Sequence, residues 1–363
     1  MIYQDDENNS EDSISTTILS KNYINTELPA TFSDNEFIES VPNQENNENN
    51  PQVDFNLLKD KLIPTSILSE EIAKNIFQDY HYFNQIQSDV FQKIYHTDSS
   101  LVICAPTGCG KTVILELAIV RLYEQYSATN KLSQLKIVYV APLKALCNEK
   151  YEDWYVKFSR IGLSCLQLTG DSPNEDIYKF KSSHIILTTP EKWDSVTRMW
   201  KDNMAQISAV RLFLLDEIHA LSDKTRGPTL EAIVSRMKTI QNELGYSIRF
   251  VALSASIPNV EDLASWLSCK KSTCIPLKYG EELRPVKLKI VVMGYPCDNK
   301  TSGYRFDMLL SYKLNGLIQT YSNGKPTLIF CSTRKGVLQS ALTIAKSFKY
   351  VVGKCIHCFL LII

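Results

Sequence analysis

The chain of 363 residues contains no apolar run that approaches a membrane span, which takes about 20 consecutive apolar residues. Its N-terminus is acidic and has no apolar core, so it does not read as a secretory signal. No segment repeats at a fixed period, which excludes solenoids and propellers. Basic residues are nearly missing from the first fifty positions, where Lys21 stands against eleven acidic residues. That stretch is rich in Asn, Asp, Glu and Ser and has too little apolar surface to offset the entropy of ordering. Residues 1–52 are therefore expected to be a disordered acidic tail. Against the overall charge of −1, the rest of the chain carries +9. Such a balance suits a polyanionic partner or a solvated surface equally well. Ten cysteines without a signal imply a reducing compartment and free thiols. Cys355-x-x-Cys358 is a lone pair, and zinc needs two more ligands at suitable spacing.

What is present is an alternation. Short β-rich apolar runs at 101–104, 136–140, 165–168, 185–188, 212–215 and 249–253 are separated by helical periodicity at 143–161, 191–200, 229–244 and 260–267. Apolar strands interleaved with helices predict a parallel sheet covered on both faces, with ligands beyond the strands' carboxyl ends.

The first run leads into Ala105-Pro106-Thr107-Gly108-Cys109-Gly110-Lys111-Thr112. Gly108 and Gly110 let the backbone curl so that its N–H groups converge on one anion. Lys111 supplies a point charge for the β- and γ-phosphates, and the Thr112 hydroxyl suits Mg²⁺. The helix that follows adds its positive N-terminus. Ala105 stands where the strict pattern has Gly. Cys109 lies at a helix N-terminus, a place that lowers a thiol's pKa, or is simply a small inert residue. Further on, Leu212-Phe-Leu-Leu-Asp-Glu-Ile-His219 is a buried strand ending in two carboxylates and an imidazole. Asp216 is expected to hold Mg²⁺, Glu217 to activate the attacking water, and His219 to couple the nucleotide site to neighbouring loops.

With both motifs in one sheet, the chain resembles a superfamily 2 DExH-box helicase built from RecA-like domains, over about residues 75–349. Phe83-Asn-Gln-Ile-Gln87 resembles the adenine-reading motif of that family, which implies that Phe83 stacks on the base and Gln87 bonds its edge. Ala141-Pro142-Leu-Lys144-Ala-Leu146, Thr169-Gly170-Asp171 and Thr188-Thr189-Pro190-Glu-Lys192-Trp-Asp194 resemble motifs that grip the loaded strand. Their residue types suit phosphate contacts, which position a strand without reading it. Ser254-Ala-Ser256 resembles the coupling motif, usually Ser-Ala-Thr, and keeps its hydroxyl. Arg226-Gly-Pro-Thr-Leu-Glu231 with Arg236 is similar to a signature of the Ski-two-like group. Within that group the wording resembles the meiotic crossover DNA helicases. Trp193, Trp200 and Trp266 read as core packing.

The resemblance implies ATP and Mg²⁺ as cofactors and nucleic acid as partner, DNA ahead of RNA. It also implies 3′-to-5′ unwinding in the nucleus during meiotic recombination, with no membrane partner and no stable homo-oligomer. Spliceosomal or activating-signal-cointegrator RNA helicases, and a non-catalytic ATP- and nucleic-acid-binding fragment, are the alternatives. The expected organisation is a helical lead-in at 53–99, a RecA-like domain at 100–275, a connector at 276–306 and an incomplete second RecA-like domain at 307–349. Strand-like runs are expected at 286–292 and 327–331, and an apolar tail closes the chain at 350–363. A Gln-x-x-Gly-Arg-x-Gly-Arg string, which carries the arginine finger in the family, is not in the sequence. The resemblance therefore implies a C-terminally truncated chain that is impaired in hydrolysis.

Overall fold

An apolar strand with no polar face must be covered on both sides, and the six runs above leave the chain one way to do so. The computed structural model describes residues 62–347 apart from 171–175, 270–271 and 299. The acidic tail, Asp171, Cys355, Cys358 and the 350–363 tail lie outside the described residues. Two helices, α1 (Glu70–Asn75) and α2 (Gln85–His96), precede β1 (Ser100–Cys104). Then come α3 (Lys111–Ala128), β2 (Lys136–Val140), α4 (Lys144–Ser159), β3 (Cys165–Leu168), α5 (Asp176–Ser182), β4 (Ile185–Thr188) and α6 (Pro190–Arg198). They are followed by α7 (Met204–Ile207), β5 (Val210–Leu215), α8 (Gly227–Leu244), β6 (Arg249–Ser254), α9 (Val260–Leu267) and β7 (Cys274–Lys278).

The strands form one seven-stranded sheet in the order β3-β4-β2-β5-β6-β1-β7. Every pairing is parallel. Successive strand residues alternate between the two faces, so each strand feeds two cores. On β1, Leu101 and Ile103 join the core under α2, α3 and α4, while Val102 and Cys104 join the core under α6, α8 and α9. Trp193 is fully buried in the second core, with Trp200 and Trp266 packed at its margin, as core-packing tryptophans should be. Among the described residues no helix is long and apolar enough to cross a membrane.

Two expectations need correction. The sheet does not stop at residue 275: β7 pairs with β1 along Ser100–Cys104 and carries it to Lys278. Pro276 within the strand disguised it, and an edge position tolerates a proline. Conversely, 286–292 and 327–331 form no strand. Their alternation is right, but a strand exists only through its ladder partners, and here Val286, Ile290 and Phe330 are 74%, 81% and 68% exposed. Beyond the connector lie α10 (Gly303–Ser311) and α11 (Leu314–Tyr321), and α12 (Arg334–Ser347) packs back on α10 through the Ser311–Ser340 hydroxyl pair at 2.9 Å.

Candidate nucleotide and nucleic-acid site

The loop after β1 bends through left-handed Gly108 (φ +78°) and Gly110 (φ +75°), a region in which a side chain is strained. Gly110 is also crowded: a Cβ there would lie 2.6 Å from Gln87 Nε2. Lys111 opens α3, and its ammonium donates to the carbonyls of Ala105 (2.7 Å) and Pro106 (3.1 Å). The loop is braced from outside by a capping box on α2: Gln87 N–H donates to Asn84 Oδ1 (3.0 Å) and Asn84 N–H to Gln87 Oε1 (2.9 Å). The same two side chains donate onward, Asn84 Nδ2 to Cys109 O (2.9 Å) and Gln87 Nε2 to Gly110 O (3.0 Å).

The arrangement bears on Phe83, Gln87 and Cys109 as well. Phe83 has no exposed face with which to stack on a base: it is fully buried, edge-on to Phe77 at 5.5 Å and tilted against Phe91 at 5.6 Å. The aromatic rings that reach solvent beside it are Tyr80 and Tyr82. Gln87 engages both ends of its amide, its oxygen in the capping box and its nitrogen on the phosphate loop, so here it braces the loop. Cys109 is buried, and burial pushes its thiol up in spite of the pull of Lys111.

Asp216 and Glu217 follow β5, Ser254 ends β6, and the phosphate loop follows β1. These three strands are neighbours in the sheet, so the loops sit side by side over about 10 Å. Ala105 N–H donates to Ser254 O (3.2 Å), and Asp216 N–H to Val140 O (2.9 Å). Both Asp216 oxygens are held, Oδ1 by Glu217 N–H (2.9 Å) and Oδ2 by the Tyr139 hydroxyl (2.8 Å). Glu217 is left-handed at φ +49°, a strained conformation for a residue with a side chain. Its Oε2 is buried 3.2 Å from His219 Nδ1, without hydrogen-bond geometry. His219 Nδ1 also receives a long 3.5 Å bond from Ala255 N–H, a contact between the Asp-Glu-Ile-His turn and the Ser-Ala-Ser turn. Of that turn, Ser254 is fully buried and Ser256 exposed.

The loops expected to grip a strand emerge from the same carboxyl edge, beyond β2, β3 and β4. Lys144 and Gly170 are exposed, and Pro142 and Lys192 are half-buried. Thr169, Thr189 and Pro190 are buried, so the first two offer a ligand backbone rather than hydroxyls, and Pro190, which lacks an N–H, offers only shape. Behind them Asp194 pairs with Arg198 (2.6 Å) and with Arg236 of α8 (2.8 Å). Burial opposes ionisation of Asp194, but the hydrogen bonds from Arg198 and Arg236 outweigh it and hold the carboxyl below its usual range.

The DEAD/DEAH box helicase family matches residues 84–263, from Asn84 of the capping box into α9. The chain is 51% identical over 288 residues to the "Probable ATP-dependent DNA helicase HFM1" of Xenopus tropicalis, covering 77% of this chain and 21% of that protein. The chain belongs to the DEAD/DEAH box helicase family. It is also 40% identical to the "ATP-dependent DNA helicase MER3" of Saccharomyces cerevisiae, over 77% of this chain and 23% of that one. It thus spans about a fifth of the length of these relatives. The crystal structure of the DUF1998 helicase MrfA bound to DNA and AMPPNP superposes with a TM-score of 0.64 at 20% identity, over 81% of this chain and 40% of that one, a likeness of fold.

Within this helicase domain, three residues at the site escaped the sequence reading. Asn84 had a signal, because Asn followed three residues later by Gln before an apolar run is a capping box. Tyr139 reads as one more apolar residue of β2. Arg284, whose guanidinium donates to Thr107 Oγ1 (3.0 Å), stands 177 positions away from its partner.

Proposed function

We propose that this chain is the ATP-binding half of an ATP-dependent DNA helicase motor, one that unwinds 3′-to-5′ in the nucleus during meiotic recombination. The observation that carries the reading is the junction of three turns at neighbouring strand ends, tied by the Ala105–Ser254 and His219–Ala255 hydrogen bonds. Two relatives whose names say ATP-dependent DNA helicase support DNA over RNA.

The residues present fit a magnesium nucleotide. The curled glycines and the first N–H groups of α3 suit a polyanion, and the Thr112 hydroxyl with the Asp216 carboxylate is a hard-oxygen pair suited to Mg²⁺. Held by these two residues, Mg²⁺ would supply neutralisation of the phosphate charge. Lys111 exchanges its two carbonyl acceptors for phosphate oxygens. Glu217 orients the attacking water and accepts its proton, and His219 passes the state of that turn to Ser254 and Ser256. On the strand side, Lys144, Lys192, Pro142 and the Gly170 backbone meet the phosphates, while Thr169, Thr189 and Pro190 shape the loops. Hydrolysis by these residues alone is slow, because an arginine finger contributes about 10³–10⁵ in rate in related enzymes.

Titration with a fluorescent ATP analogue tests the nucleotide reading. The purified chain is expected to bind it with Mg²⁺, and Lys111→Ala to abolish binding; no binding, or binding indifferent to that change, ends the proposal. Competition between DNA and RNA strands of one sequence tests the partner, and a preference for RNA would favour the RNA-helicase alternative.

A further inference from the structure

After β7 the chain runs on beside β1, where Tyr279 N–H donates to Cys104 O (2.8 Å), and then makes a tight turn at Glu281–Leu283. Tyr279 and Leu283 pack against the core beneath α3, so this strap is anchored rather than adrift. Its next residue is Arg284. One guanidinium nitrogen donates to Thr107 Oγ1 at 3.0 Å, and the other meets Glu281 Oε2 at 3.0 Å. Thr107 is an exposed residue of the phosphate loop. The guanidinium charge is felt inside the loop, where it acts with Lys111 on the Cys109 thiol.

Three physical points give this contact a purpose. The Glu281 carboxylate is 63% exposed and takes a single arm of the guanidinium, an ion pair of little strength. Most of the five donors of Arg284 are therefore uncommitted to carboxylate. A planar guanidinium is suited to phosphate oxygens, which it takes two at a time. Lys111 reaches back to the carbonyls of Ala105 and Pro106 at the start of the loop, whereas Arg284 meets the loop from the strap, at Thr107.

We propose that Arg284 is a phosphate ligand of the nucleotide site, supplied in cis by the strap after β7 and positioned by Thr107 and Glu281. The proposal rests on the ATP reading above. The guanidinium meets the loop at Thr107, away from the first turn of α3 where Lys111 stands, so its ligand is taken as the terminal phosphate, and it favours the triphosphate over the diphosphate.

The test is titration of the purified 363-residue chain with fluorescent ATP and ADP analogues in the presence of Mg²⁺. Arg284→Ala is expected to weaken ATP binding about tenfold or more and ADP binding by less than about threefold, as loss of a charge-assisted bond to one phosphate implies. Arg284→Lys, which keeps the charge but not the fork, is expected to fall between. Melting without nucleotide checks that each variant folds. An unchanged ATP affinity in Arg284→Ala overturns the proposal. So does an equal loss for ATP and ADP together with a lower melting temperature, the mark of a brace. Failure of the ATP reading looks different: the unaltered chain would then bind no better than Lys111→Ala.

Discussion

Both carboxylate oxygens of Asp216 are engaged from within the domain, and the Tyr139 hydroxyl is the partner whose removal disturbs least else. Tyr139 is fully buried, and its ring meets Trp154 edge-on at 5.2 Å. Burial and the Asp216 charge both hold its phenol protonated, so it is always a donor. Tyr139→Phe keeps the ring and removes one hydrogen bond. It is expected to cost about 1 kcal/mol of stability and to raise the Mg²⁺ concentration needed for nucleotide binding, because the carboxylate is no longer aimed. Denaturant melts and a Mg²⁺ titration check the two parts, and an unchanged Mg²⁺ midpoint would show that Asp216 needs no aiming. Cys109 marks the limit of reasoning from one residue. A helix N-terminus lowers a thiol's pKa only where the thiolate is solvated, and here burial decides the opposite sign.

At the scale of elements, the domain is joined by polar groups that cross between helices and strands. Lys136, at the start of β2, is buried, and its ammonium donates to the carbonyls of Phe180 (2.6 Å), Lys181 (3.1 Å) and Ser183 (2.7 Å), at the C-terminal end of α5. A cation there also meets the negative end of the helix dipole. Lys136→Met fills the space but leaves three carbonyls without a donor, and is expected to destabilise by about 3 kcal/mol. Burial brings the Lys136 pKa down to about 8 from the ordinary 10.5. Between those values the unfolded chain holds the proton that the folded chain has released, so this group's contribution to stability rises with pH through that window. Urea melts from pH 7 to 10 are expected to show that rise in the unaltered chain and its loss in Lys136→Met. Backbone approach joins elements as well: a Cβ on Gly227 would lie 2.2 Å from Leu221 O, so α8 can start where it does only with glycine there.

For the molecule as a whole, the two ends of the described chain differ in how their apolar residues are used. Strands β1–β7 bury nearly all of theirs between two layers of helices, whereas Val286, Ile290, Val292 and Phe330 face solvent together with Leu328, Leu338 and Leu342. An exposed apolar set of this kind binds other apolar surfaces. The 363-residue chain is therefore expected to bind a hydrophobic dye and to scatter light at rising concentration. The double change Ile290→Lys and Phe330→Lys is expected to reduce both while leaving nucleotide affinity unaltered. A chain that stays monomeric and dye-free before any substitution would contradict this.

The sequence by itself determined most of the sheet and the strings that its loops carry. Strand runs 136–140, 165–168 and 185–188 coincide with the observed strands, because an apolar strand bounded by helices reports its own burial. The phosphate loop and the Asp-Glu-Ile-His turn are contiguous strings, so their chemistry is written locally. Tertiary structure decided which face each side chain sees. It buried Phe83, turned Gln87 toward the loop, raised the Cys109 thiol, and brought Tyr139 to Asp216 and Arg284 to Thr107. It also gave β7 a partner and left 286–292 without one. Each of these depends on neighbours distant in sequence, and a pattern along one chain carries no record of who those neighbours are.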